Sequence, residues 1–80
     1  MKIGKYKIGR YHGIIKKIYT DESFDYETDF TSYDDILLSY YAIKKFIGQE
    51  VGKLTENPKT LQSVEIIRGK EDIKKELENL

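Results

Sequence analysis

The chain has 80 residues, 14 basic and 14 acidic, with one histidine, one proline and no cysteine, so its formal net charge is zero. That length holds one small domain, 1–80, with a thin core, and the missing cysteines exclude a disulfide framework, a thiolate zinc site and a cysteine nucleophile. A neutral balance argues against a generic nucleic-acid binder, and the longest aliphatic run, Ile36-Leu37-Leu38, is far too short for a membrane span or a signal-peptide core; a soluble, cytoplasmic protein without membrane contact is expected.

The opening repeats itself: Lys2-Ile3-Gly4-Lys5-Tyr6 is followed by Lys7-Ile8-Gly9-Arg10-Tyr11. An odd repeat would point its two copies to opposite faces of a straight strand. A turn or bulge near Gly9-Arg10 or His12-Gly13 is therefore expected, with glycine supplying positive φ. Strand one is read over 2–8 and strand two over 11–20, where Ile14, Ile15, Ile18 and Tyr19 supply β-branched and aromatic side chains.

From Phe24 to Phe30 the pattern alternates without error. A strand would place Phe24, Tyr26, Thr28 and Phe30 on one face and Asp25, Glu27 and Asp29 on the other, whereas a helix would scatter them. Ser32 then offers an N-cap, with Asp35 three residues on. Ile36, Tyr40, Ile43 and Ile47 form a helical stripe, widened by Leu37 and Tyr41, and Gly48 is expected to end it.

Two further strands are read over 49–55 and 61–68, joined by a turn over 56–60, with Val64 and Ile66 facing inward. A helix over 70–80 carries Ile73, Leu77 and Leu80 on a narrow stripe, expected to dock loosely or to pack on a second copy. The order β-β-β-α-β-β-α predicts an α+β domain with a mostly antiparallel sheet. Its variant is a small SH3-like or OB-like barrel with an inserted helix.

Neutrality is a cancellation. Residues 1–18 carry six cations and no acid, residues 19–35 carry seven acids and no cation, and the remainder is nearly balanced. Either the two runs lie on neighbouring strands and neutralise each other, or they form two binding faces.

Catalytic chemistry finds little support. His12 is the single imidazole, no serine sits in a glycine-flanked elbow, and a turn or surface role for His12 is expected. Asp25, Glu27 and Asp29 recur about 6.7 Å apart along a strand, a spacing that would suit a glycosidase pair, but so small a domain has little room for a substrate-bending cleft. A calcium loop starting at Asp25 fails, because Phe30 stands where glycine is needed and Ile36 where a bidentate glutamate is needed. Gly4, Gly9 and Gly13 open no helix, so phosphate-loop patterns do not fit and the three glycines read as turns and bulges. No enzyme activity, metal or cofactor is expected.

Two surfaces stand out. Asp21, Glu22, Asp25, Tyr26, Glu27, Asp29, Tyr33 and Asp34 form an acidic, tyrosine-rich stretch whose carboxylates are spaced like neighbouring phosphates of a nucleic-acid strand. It suits a protein partner with a basic surface. Size and composition suggest an inhibitor of a host nucleic-acid-handling or defence protein, encoded by a phage or mobile element. The alternative surface is basic: Lys5, Lys7, Arg10, Tyr11, Lys16 and Lys17 could track a single-stranded backbone while rings stack on bases. A third expectation is a homodimer formed through the C-terminal stripe.

Overall fold

The computed structural model describes residues 2–3 (backbone), 6–52 and 57–79. It is an α+β fold with a curled, antiparallel four-stranded sheet and two helices, as the order of elements predicts. The elements are β1 (Lys2–Ile3), β2 (Tyr6–Lys7), β3 (Gly13–Tyr19), β4 (Phe24–Glu27), α1 (Tyr33–Lys44), β5 (Glu50–Val51), β6 (Lys59–Arg68) and α2 (Lys70–Glu78). The main sheet runs β4-β3-β6-β5, while β1 and β2 pair antiparallel as a separate two-stranded sheet.

Consecutive isoleucines explain the layering. Side chains alternate along a strand, so Ile14 and Ile15 of β3 face opposite sides, and both are 0% exposed. Burying both requires cover on both faces of the sheet. Helix α1 covers one, where Ile36 joins Ile15, Tyr19, Phe30, Leu61 and Val64. Helix α2 covers the other, where Ile73 and Leu77 join Ile8, Ile14 and Tyr26.

Helix α1 starts as its sequence predicts. Ser32 is extended, with φ −155° and ψ 163°, and its hydroxyl oxygen accepts from the Asp35 N–H at 3.1 Å. Ile36 is buried, and Tyr40 and Ile43 pack against the same cluster. Val64 and Ile66 face this cluster as expected. Leu61 reaches the same side because β6 is irregular: Ile18 opposes Ser63 while Tyr19 opposes Leu61. One extra residue, Gln62, switches the alternation there.

Several expectations need correction. The strand read over 2–8 is two short paired strands, and the one read over 11–20 spans Gly13–Tyr19. The alternation from Phe24 holds only to Glu27. Asp29 takes a left-handed φ of 67°, and Phe30 enters the α1-side cluster while Tyr26 lies in the α2-side cluster. A sheet covered on both faces can accept aromatic rings from either side, which a single alternating pattern does not foresee. Phe24, read as sharing a face with Tyr26, sits 43% exposed while Tyr26 is buried.

Helix α1 ends at Lys44, and tighter turns follow before Gly48, with Phe46 N–H on the Ile43 carbonyl and Ile47 N–H on the Lys44 carbonyl. Ile47 consequently leaves the stripe. Tyr41, expected to widen the stripe, points outward. Strand β5 covers Glu50–Val51 of the stretch read over 49–55, of which 53–55 lie outside the described residues, as do residue 56 of the expected turn and Gly4. Strand β6 begins at Lys59, inside the expected turn.

Gly9 is required for space and not for positive φ, and Gly13 does not have a positive φ either. A Cβ on Gly9 would overlap the Phe30 carbonyl oxygen and lie 2.8 Å from the Asp29 carbonyl carbon, and one on Gly13 would overlap Cδ1 of Ile36. These contacts fasten the N-terminal segment to the sheet and α1. Among the described residues no helix is long and apolar enough to cross a membrane.

Candidate functional site

Strand pairing decides the fate of the charged runs. Strands β3 and β4 are antiparallel neighbours, with Lys17 opposite Asp25 and Lys16 opposite Tyr26. On the α1 side, Lys17 Nζ donates to Glu27 Oε1 at 3.0 Å and lies 3.9 Å from Asp25 Oδ2. On the α2 side, Lys16 Nζ and the Tyr26 hydroxyl both donate to Glu76 Oε2, at 3.1 and 2.9 Å. At the loops, Asp29 lies 3.9 Å from Lys7 and Asp21 lies 3.7 Å from Lys59. Lys17 thus pairs with acids of the second run inside one sheet, Lys7 meets Asp29 from the separate two-stranded sheet, and Lys16 pairs instead with Glu76 of α2. Of the acidic set, Glu22 and Asp34 are exposed and lie in no ion pair with a described residue, and Asp35 beside them is the same.

The environments tune these groups. Burial opposes the charge on Lys17, but the hydrogen bond to Glu27 and the charges of Glu27, Tyr19 and Asp25 outweigh it and raise its pKa. Hydrogen bonds from the Ser23 hydroxyl and N–H lower the pKa of Asp21. Burial, then the hydrogen bond to Glu76 and its charge, push the Tyr26 phenol far above its ordinary value.

The basic set is scattered likewise. Lys16 and Lys17 point to opposite faces and are paired, Lys7 has Asp29, and Lys5 lies outside the described residues. Arg10 and Tyr11 remain, at the far end of β3, where Tyr33 of the acidic set packs its ring 5.7 Å from that of Tyr11.

What the patterns missed is apolar. Of the large hydrophobic side chains exposed among the described residues, Leu38 (72%), Tyr41 (58%), Phe46 (50%) and Ile47 (40%) all lie on α1 or the turn after it. Beside them is a hollow of about 200 Å³ lined by Tyr19, Ala42, Ile43, Phe46, Val51 and Leu61, with Lys17 at its edge. A larger, more polar depression of about 410 Å³ adjoins it, sharing Lys17, Tyr19 and Val51 and adding Phe24, Asp25 and Lys59. The signal was present in the sequence. Apolar residues occupy nearly every side of α1, more than one sheet face can cover.

Among the described residues no group of three or more His, Asp or Glu side chains gathers as a metal site. No family model matches the chain, and neither a curated protein nor a solved structure shows significant similarity to it.

Proposed function

We propose that the chain is a non-enzymatic cytoplasmic interaction protein that binds a protein partner through its acidic, tyrosine-rich segment and the outer face of α1. The observation that carries this reading is the concentration of exposed apolar side chains on α1 and the following turn, beside the hollow between α1 and the sheet. Asp34, Leu38 and Ala42 succeed one another at four-residue spacing, so a carboxylate, an exposed leucine and the rim of the hollow form one row. A matching partner offers an apolar anchor for the hollow and a basic residue for Asp34 and Asp35.

This placement moves the weight of recognition along the acidic segment. Asp25, Glu27 and Asp29 engage Lys17 and Lys7, so imitation of a phosphate row would have to break those pairs, whereas Glu22, Asp34 and Asp35 are free to meet a partner.

Affinity capture with the tagged chain, followed by titration of the captured and purified protein, tests the proposal. The double variant Leu38→Asp with Tyr41→Ser should weaken binding by about tenfold or more. Equal binding by the variant would refute the assignment of this face. Light scattering that finds a dimer in the wild type and a monomer in the variant would assign the face to self-association.

A further inference from the structure

At the other end of β3 the structure assembles a second surface, which meets the first at Tyr33. The sequence contains only two arginines among fourteen basic residues, and the fold brings both together. Arg68 ends β6 directly opposite Gly13 of β3, and Arg10 lies just before that strand. With Tyr11, His12, Gly69 and Lys70 they line an open depression of about 500 Å³. Arg10, Arg68 and Lys70 lie in no ion pair with a described carboxylate, although Glu71 and Asp72 follow in the first turn of α2. Three like charges in one hollow repel one another unless an anion enters.

The site is built, not merely charged. The Arg68 guanidinium lies 4.0 Å from the ring centre of Tyr33 and 5.7 Å from that of Tyr11, and it donates to the Tyr11 hydroxyl. Cation–π contact with two rings and the hydrogen bond restrain the guanidinium, while the residue as a whole remains exposed to solvent. The Gly9 contact with Phe30 holds the backbone beside Arg10, and the Gly69 N–H donates to the His12 carbonyl at 3.0 Å, which ties the loop to the start of α2. Buried Nδ1 of His12 has no hydrogen-bond partner among the described residues, and α2 has no side-chain cap on its N-terminal amides.

We infer that this hollow binds a phosphate monoester. Arginine forks and a lysine suit a compact tetrahedral dianion. A nucleic-acid strand would need a track of free cations leading away from the hollow, and the neighbouring lysines Lys7, Lys16 and Lys17 are held by Asp29, Glu76 and Glu27.

Titration followed by amide resonances tests the inference, using inorganic phosphate, adenosine 5′-monophosphate, adenosine, and a short single strand with and without a 5′-phosphate. The monophosphate should shift His12, Gly69 and Lys70 in a saturable way below about 10 mM, and adenosine should not. Arg10→Ala and Arg68→Lys should each weaken binding about tenfold, the second because it keeps charge but loses the stacked fork. Lys74→Gln, on the exposed side of α2, should bind as the wild type does. Thermal melts establish that each variant is folded. No saturable shift, or wild-type affinity in folded Arg10→Ala and Arg68→Lys, would overturn the site. A strand lacking the 5′-phosphate that binds as tightly as the phosphorylated one would overturn it in favour of backbone tracking.

Discussion

Lys17 stands on β3 directly opposite Asp25 and diagonal to Glu27, and its ammonium donates to Glu27 at 3.0 Å while only 18% of its side chain remains exposed. The basic and acidic runs therefore meet across one ladder. A partly buried pair of this kind is worth about 1 kcal/mol, more when one partner is left alone. Glu27→Gln and Lys17→Met should each lower stability, and together they should lose less than the sum of the two. A double-mutant cycle in urea measures this, and strict additivity would mean that the pair is not coupled.

The same groups set an alkaline limit. Lys17 and Tyr26 have pKa values raised above their ordinary values of 10.5 and 10.0. A raised value in the folded state gives stability that is fully present below the ordinary pKa and lost as pH rises through the folded one. The urea midpoint should thus hold from neutral pH to about 10 and then fall. Lys17→Met combined with Tyr26→Phe should flatten that fall; an unchanged alkaline slope would contradict the assignment. Asp21 has the opposite sign: its lowered pKa favours the fold above 3.8 and is lost as pH falls through the lowered value.

Ser32→Ala removes the acceptor of the Asp35 N–H and should cost about 1 kcal/mol. Thermal unfolding should shift down by about 4–8 °C. Ser32→Asp keeps a side-chain acceptor at the cap and should restore most of the loss. A Tm unaffected by either change would remove the cap from the account of α1.

Gly9 and Gly48 should respond differently to alanine. Gly48 has a φ of 86° and open space around it, so Gly48→Ala should cost about 1 kcal/mol in backbone strain. Gly9→Ala drives a methyl group into the Phe30 backbone and should cost about 3 kcal/mol, with broadening of amide signals around Phe30. Equal denaturation midpoints for the two variants would show that the close approach at Gly9 yields easily.

Local chemistry was legible wherever the deciding contacts lie within one turn or one pleat. Ser32 announces α1 because its partner is three residues away. The order of strands and helices follows from periodicity, and Val64 and Ile66 face the core as their spacing predicts. The candidate site was legible only in part. The sequence marks Tyr33 and Asp34, but Leu38 and Phe46 look like core residues until the width of the sheet beneath α1 is known.

By itself the sequence determined the two helices, the Ser32 cap and the α+β class, since these depend on propensities and periods read over a few neighbours. The tertiary structure decided which charges remain free. Register places Lys17 against Asp25 and Glu27, α2 brings Glu76 to Lys16, and the end of β6 sets Arg68 beside Arg10. Ion pairing acts over a few ångströms in space between residues distant along the chain, so a net charge of zero states only a sum. The fold determines where that sum cancels and where it leaves an arginine-lined hollow at one end and an acidic, apolar face along α1.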